Sequence, residues 1–180
     1  AFSADFQEGG RGKVFNATVG GGMIFPGVVW IFMGEDYVRL NLRTNELSGP
    51  QTIAANWGSG QWPSTFASGV QAAVSFTNEP TLVWFFKGSQ YLRYNLSSDV
   101  VEGGPADIAP NWPGWPASFS SGLDAAVPGR GAQYEGMAWL FKGSEYIRFN
   151  NNSGVGEVDV GPTPIAAAWR GWPESFAGVD

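Results

Sequence analysis

Trp84-Phe-Phe-Lys-Gly-Ser-Gln-Tyr91-Leu-Arg93 occurs three times in this chain with few changes. The other copies are Trp30-Ile-Phe-Met-Gly-Glu-Asp-Tyr37-Val-Arg39 and Trp139-Leu-Phe-Lys-Gly-Ser-Glu-Tyr146-Ile-Arg148. The tryptophans fall 54 and 55 residues apart, and a fixed period of that size identifies a repeat architecture. Within each copy the aromatic residues alternate on either side of a glycine. Trp84 and Phe86 precede Gly88, and Tyr91 and Arg93 follow it, as in a β-hairpin with two distinct faces. Gly34, Gly88 and Gly143 stand at the turn, where a positive φ is favoured.

Working outward, each hairpin has a small-residue strand before it: Asn16-Ala-Thr-Val19, Gln71-Ala-Ala-Val74 and Asp124-Ala-Ala-Val127. Such residues suit an inner strand crowded by its neighbours. After each hairpin comes Gly-Pro-x-x-Ile-Ala-x-x-Trp, spanning 49–57, 104–112 and 161–169. Ile and Trp four apart share one face of a short helix, and the proline reads as its start. Trp62-Pro63, Trp115-Pro116 and Trp172-Pro173 follow, then Phe66, Phe119 and Phe176. Here proline is expected to end the helix and turn the chain toward the next unit. The predicted organisation is a single all-β domain over 1–180, with an N-terminal strand in 1–15 and units at 16–70, 71–123 and 124–180. One small sheet cannot bury both its faces alone, but neighbours grouped around an axis can, so a propeller is the expected solution and a linear solenoid the alternative.

Composition narrows the function. The 180 residues are 43% hydrophobic and 14% charged, with a net charge of -6. That excludes a disordered chain, and the ten scattered basic residues form no stripe for nucleic acid or for an anionic membrane surface. No apolar run is long enough to span a bilayer. The chain begins at Ala1, as expected of a processed N-terminus. The absence of cysteine favours the cytosol over a disulfide-forming compartment, while the sequons at Asn16, Asn95 and Asn151 point the other way. Without histidine or cysteine there is no Ser-His-Asp or Cys-His constellation and no common zinc ligand set. Glu35, Asp36 and Glu145 sit in the hairpin turns, where carboxylates are ordinarily solvated, so a two-carboxylate glycosidase is not expected. Asp159 reads as an exposed strand residue.

The run from Gly122-Leu-Asp-Ala-Ala-Val127 through the Trp139–Phe149 hairpin to Gly161-Pro162, Ile165 and Trp169 resembles a hemopexin repeat, and the resemblance extends over all three units, residues 16 to 180. It implies four-stranded blades around a central channel. It also implies that main-chain groups at the inner-strand starts, Asn16, Gln71 and Asp124, hold a channel ion such as calcium, sodium or chloride; no other cofactor is implied. The family has four units in a closed ring, whereas three are counted here. The ring is then either a compact one of three, with Ala1–Phe6 closing it as a clasp, or one whose fourth blade is missing or supplied by another chain. Haem carriage through an axial histidine is excluded.

The third departure is tryptophan before proline in every unit. Trp62, Trp115 and Trp172 are expected on the blade rim, where an indole can stack on a sugar ring. Arg39, Arg93 and Arg148, with Asn41, Asn95 and Asn150 two residues on, form a repeated polar edge able to donate to hydroxyls or carboxylates. The expected function is therefore a non-enzymatic, multivalent lectin that binds glycans, and the repeated surfaces allow association into a homo-oligomer. The alternative is an interaction or storage module for proteins, polyamines or small cations, to which the acidic balance is suited.

Overall fold

A computed structural model describes residues 5–8, 11–14, 21–25, 27–152, 154 and 156–173, with side chains from Gly27 onward. Its strands form three four-stranded antiparallel sheets and one hairpin. The first sheet comprises β3 (Gly21–Phe25), β4 (Val28–Met33), β5 (Asp36–Asn41) and β6 (Glu46–Thr52). The second comprises β7 (Ala72–Val74), β8 (Leu82–Lys87), β9 (Gln90–Asn95) and β10 (Val100–Asp107). The third comprises β11 (Ala125–Pro128), β12 (Met137–Lys142), β13 (Glu145–Asn150) and β14 (Glu157–Pro164). Each runs in simple meander order, so every sheet is built from contiguous chain. β7 lies beside both β3 and β11, which makes the short, small-residue strands the line along which the sheets meet.

The repeated motif forms the central hairpin of each sheet. Trp30 faces Arg39, Trp84 faces Arg93 and Trp139 faces Arg148 across equivalent ladders. The turn glycines have φ of +57°, +56° and +53° at Gly34, Gly88 and Gly143, the left-handed conformation that glycine adopts without steric cost.

Alternation of side chains distributes the core between units. From the second sheet, Val83, Phe85, Leu92 and Tyr94 face the first unit and pack with its Phe32, Tyr37, Ile53, Trp57 and Trp62. Trp84 and Phe86, one residue out of phase, face the third unit together with Ile108 and Trp112, and meet Ala138, Leu140, Ile147 and Phe149. Each fully buried phenylalanine contributes about 1.5–3 kcal/mol, and each core cluster draws its residues from two adjacent units. A polar clasp adds to the first junction: Asp99, in the β9–β10 turn, accepts from Tyr94 Oη, from the Gly58 amide at 3.1 Å and from Ser59 Oγ at 2.9 Å.

Four local expectations need correction. The described inner strand of the first unit is Gly21–Phe25, paired to β4, rather than Asn16–Val19, which lies outside the described residues. The Gly-Pro pairs do not start helices: Gly49-Pro50, Gly104-Pro105 and Gly161-Pro162 are cis bonds inside the outer strands. The helices α1 (Ile53–Asn56), α3 (Ile108–Asn111) and α4 (Ile165–Ala168) begin three residues later at isoleucine. Pro63 and Pro116 end nothing; they immediately precede the next helical turns, α2 (Ser64–Ala67) and 117–119. At the N-terminus, β1 (Asp5–Glu8) forms its ladder with β2 (Arg11–Val14) in a separate hairpin, not with the third sheet as a clasp; residues 1–4 lie outside the described residues. Among the described residues no helix is long and apolar enough to cross a membrane.

Candidate functional site: the arginine edge

The ladder positions that pair Trp with Arg also place Asn two residues further along the same strand face. Arg93 and Asn95 on β9, and Arg148 and Asn150 on β13, therefore lie side by side. The outer strand completes the group. β10 and β14 each carry a register shift opposite the arginine, and the extra residue at the bulge is acidic. Arg148 donates Nε and one terminal nitrogen to the Asp159 carboxylate at 2.8 and 3.0 Å, and Asn150 Nδ2 lies 3.4 Å from the same group. In the second unit Asn95 Nδ2 donates to Glu102 at 2.7 Å, and Arg93 Nε stands 3.5 Å from that carboxylate. The Asp159 pair holds the Arg148 pKa above its ordinary value, chiefly through the side-chain hydrogen bond.

The first unit differs by one residue. Between Leu47 and Pro50 it has Ser48-Gly49, where the other units have three residues. Arg39 pairs in register with Ser48, whose hydroxyl donates to the Arg39 carbonyl at 3.4 Å. Without a bulge acid, the exposed Arg39 guanidinium lies over the Trp30 ring at 5.8 Å from its centroid, a cation–π contact. Asn41 uses its carbonyl oxygen to cap the Arg43 and Thr44 amides, as Asn95 does for Ser97 and Ser98.

The tryptophans expected to contact ligand are placed differently. Trp62 is buried, 7% exposed, between Trp57, Phe85 and Tyr94. It therefore presents no face to a solute. Trp115 is half-buried and donates its indole N–H to the Phe119 carbonyl at 3.2 Å. Trp172 is half-buried against Trp169. The physical reason is that each packs edge-on against the tryptophan that closes the short helix before it, Trp62 on Trp57, Trp115 on Trp112 and Trp172 on Trp169.

At the inner-strand starts, Gln71 Oε1 accepts from the Gly88 amide and the Asp124 carboxylate from the Gly143 amide, both at 2.6 Å. These side chains brace the hairpin turns, which leaves main-chain groups as the donors for any channel ion. Asn16 lies outside the described residues. No cluster of three potential metal-ligating side chains occurs among the described residues. Of the sequons, Asn95 and Asn151 commit their amide nitrogens to Glu102 and Glu79.

Sequence reasoning located Arg and Asn but missed their acids. Glu102 had no assigned role, and Asp159 was read as an isolated surface residue. The available signal was the extra residue before Gly-Pro in the second and third units.

The hemopexin family model matches residues 70–117, most of the second unit, which is thus similar to a hemopexin repeat. No curated protein sequence matches it. Among solved structures it is similar to a 2S albumin seed protein from Dolichos, at 25% identity and TM-score 0.71, covering 84% of this chain and 70% of that one. A hemopexin-fold protein, CP4, from cow pea is 26% identical with TM-score 0.66, covering 79% and 65%. A plant lectin with two metal-binding sites from Cicer arietinum shares the fold at 24% identity and TM-score 0.68, again covering 79% and 65%. The chain thus spans 65 to 70% of the length of these structures.

Proposed function

We propose that this chain of hemopexin-like repeats is a non-enzymatic carbohydrate-binding protein, its three sheets acting as consecutive blades of a propeller. The single observation that carries the reading is the hydrogen-bonded Arg–Asn–carboxylate edge made by the second and third units. A guanidinium, an amide and a carboxylate held together by hydrogen bonds offer donors and acceptors to sugar hydroxyls, and the carboxylate bond pre-orients the fork of the arginine. Repetition of the edge supplies the avidity that weak single sites need. The binding residues are Arg93, Asn95 and Glu102, with Arg148, Asn150 and Asp159; Arg39 and Asn41 form a variant without the acid. Trp62 and Trp115 act as packing residues. A channel ion, if held, braces the inner strands and takes no part in sugar contact. The lectin among the similar structures supports this reading at the level of fold.

A storage role is the second reading, favoured by the likeness to the Dolichos seed albumin. A glycan array probed with the wild-type chain and with the Arg93→Ala/Arg148→Ala double variant separates the two. Binding to one glycan class, lost in a variant that unfolds at the wild-type urea midpoint, is the expected result. A folded chain that binds nothing across a broad array, or a double variant that binds as before, removes the proposal and leaves storage.

A further inference from the structure

We infer that the first unit binds the carboxylate of an acidic sugar at Arg39 and Asn41. The inference rests on the carbohydrate reading above and names the sugar class for one of its edges. The third unit supplies the template. There three donors hold a carboxylate: Arg148 Nε and a terminal nitrogen at 2.8 and 3.0 Å, and Asn150 Nδ2 at 3.4 Å. The second unit holds the Glu102 carboxylate with the matching pair, Asn95 Nδ2 at 2.7 Å and Arg93 Nε at 3.5 Å. In both units the acid belongs to a register shift of the outer strand.

The first unit keeps the donors and lacks the residue that carries the acceptor. Arg39 and Asn41 stand at the same ladder positions, opposite Trp30 and Val28. Ser48 pairs with Arg39 in register, and the chain reaches Gly49-Pro50 one residue sooner than in the other units. The Asn41 side-chain oxygen caps the following turn. Asn95 and Asn150 use theirs in the same way while their Nδ2 atoms reach the acid. Among the described residues no carboxylate forms an ion pair with Arg39, and its guanidinium rests on the Trp30 indole. Glu46, opposite Asn41, is the counterpart of Glu157, which stands beside Asp159 in the third unit, so it does not replace the bulge acid. A guanidinium fork matches the two oxygens of a carboxylate. A carboxylate brought by a sugar completes the group as Asp159 does from within the chain.

Local charge has the same sense. Residues 39–48 carry Arg39, Arg43 and Glu46, a net charge of +1 within a chain of net charge -6. The corresponding stretches carry Arg93, Asp99 and Glu102 in the second unit and Arg148, Glu157 and Asp159 in the third, a net charge of -1 each. An anionic group is attracted to the first edge and repelled by the other two. The edge also lies at an internal junction of the array. Arg39 shares its strand face with Tyr37 and Trp30, and Trp30 packs on Trp57 against the core that joins the first unit to the second.

Heteronuclear NMR titration with methyl glucuronide and methyl glucoside, which differ by a carboxylate against a hydroxymethyl group, tests it. The samples are the wild-type chain, Arg39→Gln and Ser48→Glu, each checked for folding by its urea transition. S48E sets a carboxylate of the chain itself opposite Arg39. In the wild type the glucuronide is expected to shift the Arg39 Nε–H and Asn41 side-chain amide signals. It should bind at least about tenfold more tightly than the glucoside, the margin of a hydrogen bond to a charged group. Both variants should lose that margin. Equal affinity for the two sugars, a margin that survives R39Q or S48E, acetate bound as tightly as the glucuronide, or no binding of either sugar overturns the inference. The glycan array with the R93A/R148A double variant reads the other two edges, so a failure here leaves the carbohydrate reading to be decided there.

Discussion

Replacing Asp99 tests how firmly the first two units are joined. Asp99 sits at φ +55°, so Asp99→Gly removes the carboxylate without imposing left-handed strain on a new side chain. Three donors lose their acceptor. Ser59 is exposed and turns to water. Tyr94 is 4% exposed and Gly58 is buried, so its hydroxyl and amide are stranded, at about 1–3 kcal/mol each. A net loss of about 2–4 kcal/mol follows, after allowing for water that enters beside the partly exposed carboxylate. At about 2–4 °C per kcal/mol for a chain of this size, Tm falls by roughly 5–15 °C. The hydrogen bond from Tyr94 is the main cause of a lowered Asp99 pKa, and burial with the same bond raises that of Tyr94. A carboxyl whose folded pKa is depressed stabilises the fold above its unfolded value near 4, and loses that effect as pH falls through the folded value. Urea unfolding followed by tryptophan fluorescence should therefore show a gap between wild type and D99G that is constant from pH 7 to about 5 and narrows below about pH 4. D99N should lie between them at pH 7. A D99G variant within about 0.5 kcal/mol of wild type at pH 7, or a gap unchanged at pH 3, would refute the account of this junction.

Other substitutions probe the rest of the design. A Cβ at Gly69, where φ is +118°, would lie 2.5 Å from the Gly34 carbonyl oxygen, while at Gly60, with φ +79°, it would meet nothing within 4 Å. Gly69→Ala should thus cost more than about 3 kcal/mol or block folding, and Gly60→Ala about 1–2 kcal/mol; comparable urea midpoints would contradict that packing. Ile108 is 1% exposed in the core shared by the second and third units, and Ile108→Ala should lose about 2–5 kcal/mol by the same measurement. Arg148→Ala removes a partly exposed pair and should change stability by no more than about 1 kcal/mol. A larger loss in thermal unfolding would make this edge structural and remove it as a binding surface.

Much of the unit was legible in the residues because a hairpin's register is local. Trp, Phe, Tyr and Arg at fixed offsets from a glycine with positive φ determine which side chains are cross-strand neighbours, and Trp84–Arg93 and Phe86–Tyr91 pair as that spacing requires. Ile108 and Trp112 share a helix face for the same reason. The carboxylates at Glu102 and Asp159 were harder to see, since a bulge is one extra residue and its consequence is read only against the partner strand. The cis Gly-Pro bonds likewise hide the proline in a strand while its sequence context suggests a helix start.

By itself, then, the sequence determined the repeat, its hairpin and its alternating faces, all consequences of short-range backbone geometry. Only tertiary structure decided which neighbour each face meets. Trp57, Trp112 and Trp169 occupy one position of the motif, and the first two are buried while the third is partly open. Burial belongs to what packs against a side chain, and that is settled by the following unit, whose Phe85 meets Trp57 and whose Phe149 meets Trp112.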